Sequence, residues 1–181
     1  MQETMEQPLS APSSPQAGRD SKIALAVLVA AALVVLFWPR GSGRFKEPGG
    51  FLYDSGGRAT TIGPRLAPVT LVHFWATWCP PCLEEIPALS RLTRDFAHEQ
   101  DFGLVMVAVG DSTEKVRSFM GSQADMMLFD PDWSVANRYG TEKLPETYVV
   151  VEGEVIEKLV GQQSWDAPAL RDKLSGHLAN R

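Results

Sequence analysis

The two cysteines of the chain, Cys79 and Cys82, lie in the sequence WATWCPPCLEEIP, which runs from Trp75 to Pro87. On a helix, this spacing places both thiols on one face, close enough to form a small disulfide. A disulfide scaffold needs further cysteines along the chain, and a structural zinc site needs a second pair of ligands. The pattern therefore predicts a working dithiol, in which Cys79 attacks a partner's disulfide and Cys82 resolves the mixed intermediate.

The segments on either side of the pair predict how it is positioned. The preceding run APVTLVHFWA is continuous and β-rich, which is typical of a buried central strand. After the pair, apolar residues recur at spacings of three and four and predict a helix that continues to about His98; they are Leu83, Ile86, Leu89, Leu92 and Phe96. Cys79 would then lie at a helix N-terminus, where unpaired N–H groups and the macrodipole favour a thiolate, the reactive form.

The two prolines between the cysteines limit this stabilisation. Pro80 and Pro81 fit the first positions of a helix, but they remove two N–H donors that would otherwise face the thiolate. This leaves mainly the amide and the thiol of Cys82, while Glu84 and Glu85 add negative charge one turn on. Lowering a cysteine pKa from about 8.5 to about 7 requires roughly 2 kcal/mol, near the limit of a helix terminus. Because strong oxidants depend on a greatly stabilised thiolate, we expect a reductant or at most a mildly oxidising couple.

The rest of the chain predicts an α/β domain. Residues 51–62 read as a hairpin, and residues 102–110 as a second buried strand. Asp111 and Glu114 have the spacing of a capping box for the next helix. The later predicted elements are a short strand in 126–130, a short helix in 132–139, two strands in 147–160 and a C-terminal helix marked by leucines at 170, 174 and 178. This order predicts a mixed, mainly parallel central sheet flanked by helices.

The N-terminal part predicts a membrane attachment. Residues 1–22 are rich in Ser, Pro and Gln and predict a disordered tail. Residues 23–39 form an apolar run whose roughly 17 residues span about 25 Å, close to a hydrocarbon core of about 30 Å. A cleaved signal peptide would need a small-x-small site after the run, and a buried core helix would need a polar face. We therefore predict one uncleaved transmembrane helix in the bilayer, followed by a linker over 40–50 and a folded domain over 51–181.

The motif WATWCPPCLEEIP, together with LPETYVV and the strand and helix that follow it, resembles the TlpA/ResA/CcmG branch of membrane-anchored thioredoxin-like proteins. The resemblance covers essentially all of residues 51–181. It implies a thioredoxin fold with residues 125–140 as an extra βα insert, and no cofactor beyond the redox-active disulfide. It also implies a protein-disulfide reductase, attached by a single pass to the cytoplasmic (inner) membrane, with its C-terminal domain facing the periplasm or the cell exterior.

The same resemblance implies partners. The clients would be proteins with disulfides or thiols, such as apocytochrome c or an oxidase copper-site protein. Electrons would come from a membrane thiol-reductant donor of the CcdA/DsbD type. The net charge of -5 and the lack of a dense Lys/Arg block exclude a nucleic-acid partner.

The resemblance also assigns roles to residues outside the cysteine pair. Glu85 matches a buried acidic residue thought to handle protons, although from its spacing alone an ordinary solvated helix residue is the better interpretation. Leu144 and Pro145 match a dipeptide whose cis proline faces the disulfide and helps to bind the substrate backbone. Trp78 and Pro80, which flank the first cysteine, are further candidate substrate contacts; for Trp78, packing around the site is the alternative that we favour.

One position departs from the pattern of the family. His73 lies six residues before Cys79, where thioredoxins carry a buried Asp and this branch often carries Asn. A histidine there could act as a proton relay with Glu85, to or from Cys82. A satisfied, half-buried histidine with no catalytic part is the alternative that we favour.

Two other functions use the same cysteines. A Cu(I)-handling metallochaperone module could bind copper through the two soft thiolates, but no Met or His lies beside the pair in sequence to complete a site, and we predict no metal site. A peroxidase of the peroxiredoxin type would have Thr three residues before its cysteine, where this chain has Ala76.

Overall fold

The computed structural model describes residues 27–29 and 45–180. The predicted tail lies outside the described residues, as do most of the predicted anchor and half of the predicted linker. Residues 27–29 are helical, and within the described part of the chain no helix is long and apolar enough to cross a bilayer.

The domain consists of one sheet and four α-helices. The strands are β1 (Phe45–Lys46), β2 (Leu52–Tyr53), β3 (Ala59–Thr60), β4 (Val69–Trp75), β5 (Phe102–Val109), β6 (Leu128–Asp130), β7 (Glu146–Val151) and β8 (Glu154–Val160). The helices are α1 (Pro80–Asp95), α2 (Thr113–Met120), α3 (Ser134–Tyr139) and α4 (Pro168–Ala179). Two short 3-10 helices, Gly63–Arg65 and Gly121–Met126, complete the connections. The predicted order of elements is confirmed.

The sheet is mixed, but the expectation that it is mainly parallel is wrong. Its strand order is β1-β8-β7-β4-β5-β6-β2-β3, and only the adjacent strands β4, β5 and β6 run parallel within the described residues. Helix α3 has six residues and spans about 9 Å, whereas a strand of six residues is about 20 Å long. Because α3 is too short to carry the chain back along the sheet, β7 starts at the edge where β4 ends. Glu146 therefore pairs with Phe74, and β7 runs antiparallel to β4.

Both additions to the central strands join the sheet. The predicted βα insert supplies β6, which pairs with β5, and α3. The predicted hairpin is present as β2 and β3, and its Tyr53 pairs with Phe129 of β6. Phe45 and Lys46, which fall in the predicted linker, pair with β8. The folded domain thus includes part of the segment assigned to the linker.

The predicted capping box at the start of α2 is wrong. Ser112 is the N-cap, and its hydroxyl accepts a hydrogen bond from the backbone N–H of Lys115 at 3.3 Å. The carboxylate of Asp111 instead accepts hydrogen bonds from the backbone N–H and the hydroxyl of Thr77, both at 2.7 Å. This contact fixes the loop that leads from β4 to the cysteines.

The two faces of the sheet bury different clusters. Val72 and Phe74 of β4 pack in the cluster that includes α3. On the other face, Leu71 packs with α1 and α4, and Trp75 packs with α1 and α2. Side chains alternate along a strand, so His73 points to the α1 face together with its neighbours at 71 and 75. The strand therefore delivers His73 to the same side of the sheet as the cysteines.

Helix α4 is held against the sheet by one fully buried leucine, and we expect Leu174→Ala to lower the free energy of unfolding by about 3 kcal/mol. The matched variant Leu170→Ala truncates a partly buried leucine on the same helix, and we expect a loss of about 1 kcal/mol. Denaturant unfolding of both variants measures the difference. Equal losses would contradict this packing.

Candidate active site

The cysteine pair lies where β4 ends and α1 begins. Cys79 is the N-cap of α1 in an extended conformation, and the sulfur atoms of Cys79 and Cys82 are joined in a disulfide with an S–S distance of 2.06 Å. Cys79 is 5% exposed and Cys82 is fully buried. An incoming nucleophile or partner thus reaches Cys79 first, which agrees with the predicted division of labour.

The first turn of α1 offers the Cys79 sulfur less than the sequence suggested. Pro80 and Pro81 carry no N–H. The N–H groups of Cys82 and Leu83 both donate to the carbonyl oxygen of Cys79, at 3.0 and 3.2 Å. The expectation that the Cys82 amide faces the sulfur is therefore corrected: each backbone donor of this turn is either removed by proline or already engaged.

The loop before β7 completes the surroundings of the disulfide. The Leu144–Pro145 peptide bond is cis, as the resemblance implied. Leu144 packs against the cluster that contains Cys79 and Cys82, and Pro145 is buried. The structure thus brings these residues, 62 or more positions apart in the chain, to one place.

Glu85 is enclosed one turn along α1 from Cys82. Glu85 is 2% exposed. Its Oε2 accepts hydrogen bonds from the backbone N–H of Gln163 at 2.9 Å and from Nε1 of Trp165 at 2.8 Å. The alternative of a solvated helix residue is wrong. Burial raises the pKa of this carboxyl group, and the two hydrogen bonds oppose that rise without cancelling it.

His73 is fully buried, not half-buried as the favoured alternative had it. Its Nδ1 lies 2.9 Å from Oγ1 of Thr147 on the neighbouring strand, and its Nε2 lies 3.6 Å from Oε1 of Glu85. Nε2 of His73 and Oε1 of Glu85 are two of the three buried side-chain polar atoms that lack a hydrogen bond in the described part of the chain. Burial lowers the pKa of His73 to about 3, so the imidazole is neutral at neutral pH.

A neutral His73 can still follow the proton of Glu85, because the imidazole has two tautomers. When Glu85 is protonated on Oε1, it can donate to Nε2, and Nδ1–H then donates to the hydroxyl of Thr147. When Glu85 is ionised, Nε2–H can donate to Oε1, and the Thr147 hydroxyl donates to Nδ1. A hydroxyl serves in either direction, so the pair accommodates both protonation states of Glu85 without creating a charge on His73.

The two tryptophans near the cysteines differ. Trp75 is fully buried and packs within the domain, whereas Trp78 is 53% exposed and its Nε1 donates to the carbonyl oxygen of Gly110 at 3.1 Å. Pro80 is also exposed. Trp78 and Pro80 thus flank Cys79 on the surface. The sequence analysis assigned Asp111 to a helix cap and missed Thr147 and Trp165; all three contact the site from a distant strand or loop.

Fold and site together define a class, a thioredoxin-like domain with a CPPC disulfide at the start of a helix and a cis proline before a central strand. The chain belongs to the Redoxin family, whose model matches residues 52–174.

Individual relatives support the resemblance to the TlpA/ResA/CcmG branch. The thiol-disulfide oxidoreductase ResA of Bacillus subtilis is 30% identical over 117 residues, which are 63% of this chain and 65% of that protein. The thiol:disulfide interchange protein CycY of Rhizobium leguminosarum bv. viciae is 30% identical over 97 residues, 51% of this chain and 50% of that protein. The chain thus spans less than two thirds of either relative.

A solved structure confirms the thioredoxin-like fold. A thiol:disulfide interchange protein of the thioredoxin family from Chlorobium tepidum aligns with a TM-score of 0.59 at 22% identity. The alignment covers 76% of this chain and 99% of that protein.

The burial of His73 predicts a loss of stability in acid. Its pKa is about 3 in the folded protein against 6.5 for the free side chain, so the unfolded chain takes up the proton first as the pH falls. The contribution of His73 is complete above pH 6.5 and is lost towards pH 3, by up to about 5 kcal/mol. We expect His73→Asn to flatten this part of the curve of unfolding free energy against pH, measured with denaturant.

The exposed His98 provides the control for this experiment, since its side chain is 74% exposed. His98→Asn should keep the acid slope of the unmodified protein. An equal slope in His73→Asn and in the unmodified protein would contradict a buried, neutral His73.

Proposed function

We propose that this protein is a membrane-tethered thiol-disulfide oxidoreductase that reduces disulfides of extracytoplasmic client proteins. The observation that carries the proposal is the Cys79–Cys82 disulfide at the start of α1, in which Cys79 is the more accessible cysteine, 5% exposed, and Cys82 is fully buried. The names of the relatives ResA and CycY support the same chemistry.

The reaction starts from the reduced pair. The thiolate of Cys79 attacks one sulfur of the client disulfide, which forms a Cys79–client disulfide and releases the first client thiolate. The thiolate of Cys82 then attacks the sulfur of Cys79 and releases the second client thiolate. Two electrons pass from the protein to the client, whose two thiolates take up protons, and the protein ends as the Cys79–Cys82 disulfide. A dithiol donor in the membrane, of the CcdA/DsbD type, would return the pair to its reduced form by the reverse exchange.

The donors around Cys79 support the direction of transfer that we propose. A strongly oxidising pair needs a thiolate that the protein stabilises greatly. Here Pro80 and Pro81 carry no N–H, and the N–H groups of Cys82 and Leu83 are engaged with the Cys79 carbonyl. The reduced form therefore gains little from the helix terminus, and the pair gives up its electrons more readily.

Glu85 would serve as the proton acceptor for Cys82. The two side chains share the buried face of α1, one turn apart. A carboxyl group whose pKa is raised by burial is a better match to a thiol than an ordinary carboxylate, so proton transfer from Cys82 is less unfavourable. His73 would act as a positioning residue that changes tautomer as Glu85 gains or loses the proton.

Attachment to the membrane rests on the sequence of residues 23–39, and the outward orientation rests on the resemblance to the TlpA/ResA/CcmG branch. That resemblance also makes apocytochrome c and an oxidase copper-site protein the first clients to test. Trp78, Pro80, Leu144 and Pro145 would contact the client backbone or side chains beside the disulfide.

The trapping experiment tests this function and its rival together. In Cys82→Ala, the mixed disulfide with Cys79 cannot be resolved, so we expect client proteins to accumulate as covalent complexes that dithiothreitol releases. Cys79→Ala, the matched control, should form none. Equal complex formation by both variants would contradict the proposed roles.

Copper binding is the competing outcome. If the reduced protein binds Cu(I) stoichiometrically and the Cys82→Ala variant traps no client, the metallochaperone module is the better interpretation of the pair.

The proton-handling roles predict a change in the pH profile of disulfide reduction. We expect Glu85→Gln to slow the reaction and to remove the part of the profile that follows the Glu85 carboxyl group. In His73→Asn, an amide N–H donates to the Glu85 carboxylate and cannot change tautomer, which favours the ionised carboxylate. The part of the profile that follows Glu85 should therefore move to lower pH.

The exposed neighbour Glu84 supplies the matched control, since Glu84→Gln removes a charge from the same turn and should leave in place the part of the profile that follows the Glu85 carboxyl group. If His73→Asn also leaves the profile unchanged, His73 has no part in proton transfer.

A further inference from the structure

Trp133 has a backbone conformation that its side chain disfavours. Its φ of 63° and ψ of 13° lie in the left-handed region, which a bulky residue rarely adopts. Among the described non-glycine residues, only Glu152 shares a positive φ, and it lies in the tight turn between β7 and β8, where such a conformation is required. Trp133 instead immediately precedes helix α3. Unfavourable conformations of this kind occur preferentially at functional sites.

Gly110 contacts the ring of Trp133 and also binds the ring of Trp78, which directly precedes Cys79. A Cβ atom added to Gly110 would lie 2.7 Å from Nε1 of Trp133, so the indole packs directly on this glycine, whose φ is +57°. The carbonyl oxygen of the same glycine accepts the hydrogen bond from Nε1 of Trp78. The two indole rings lie with their centroids 6.3 Å apart and their planes inclined by 33°.

The two rings come from different parts of the domain. Trp78 directly precedes Cys79, and Trp133 belongs to the βα insert formed by β6 and α3. Trp78 is 53% exposed and its one polar atom is engaged, so the surface that it offers to a ligand is apolar. Trp133 is partly buried, and its ring lies beside that of Trp78.

We propose that Trp133 determines client specificity: with Trp78, it forms an aromatic platform for an apolar or aromatic side chain next to the client's cysteine. This inference rests on the proposed function. Consecutive Cα atoms are about 3.8 Å apart, so once Cys79 is bonded to a client, the neighbouring client residues must lie close to Trp78. Indole faces bind aromatic and aliphatic side chains better than charged or small polar ones.

A pair of disulfide peptides that differ at one position provides the test. Each is a short cyclic peptide with one disulfide, and Phe follows the cysteine in one whereas Ser follows it in the other. We expect the unmodified protein to reduce the Phe peptide with the higher kcat/KM. The ratio of the two values does not depend on the fraction of folded enzyme, since one preparation supplies both.

Removing the ring should lower this ratio roughly three- to tenfold, with little change for the Ser peptide. Two variants remove it, Trp133→Gly and Trp133→Asn, because Gly and Asn both tolerate a left-handed conformation. If one variant fails to fold, the other still provides the measurement. Trp133→Phe keeps an aromatic ring and should retain most of the preference. Phe51→Ala removes the most exposed aromatic side chain of the described residues and should leave the ratio unchanged.

An unchanged ratio in the folded ring-free variants, or an equal slowing of both peptides, would overturn the specificity role of Trp133. If the unmodified protein reduces neither peptide, the proposed function fails and this inference fails with it. If both peptides are reduced and the ratio of their kcat/KM values is the same with and without the Trp133 ring, the specificity role is overturned and the proposed function stands.

Discussion

The junction between β4 and α1 is the constraint on which the rest of the domain depends. The central strand ends at Trp75, Asp111 anchors the following loop through Thr77, and the helix begins directly after Cys79. Two prolines start the helix without donors of their own, and the next two N–H groups turn back to the Cys79 carbonyl. The same geometry that makes a rigid corner thus leaves the Cys79 sulfur without a free backbone N–H donor in the first turn of the helix.

The position of Glu85 follows from the same corner. Because α1 starts at Cys79 and packs its buried face on the sheet, a residue one turn after Cys82 must enter the interior. A carboxyl group there is costly unless it is hydrogen-bonded or neutral. The chain supplies Gln163 and Trp165 to one oxygen and leaves the other facing His73. This arrangement raises the pKa of the Glu85 carboxyl group above its ordinary value, because burial outweighs the two hydrogen bonds.

Local patterns in the sequence were sufficient for the elements and for the core of the site. Spacing alone placed Cys79 at a helix start, and motif resemblance implied both the burial of Glu85 and the cis bond before Pro145. These local patterns could not predict that β7 runs antiparallel to β4, because the direction of β7 depends on the length of α3. The contact of Asp111 with Thr77 and the packing of Trp133 on Gly110 join segments more than 20 residues apart, so no short-range periodicity in the sequence predicts them.

We propose that the Cys79–Cys82 pair works as a reductant because the first turn of its helix gives the thiolate little support. Equilibration of the purified protein with glutathione redox buffers measures the reduction potential of the pair directly. We expect a value near the thioredoxin end of the range, about −270 mV. A value near the oxidant end, about −120 mV, would contradict it.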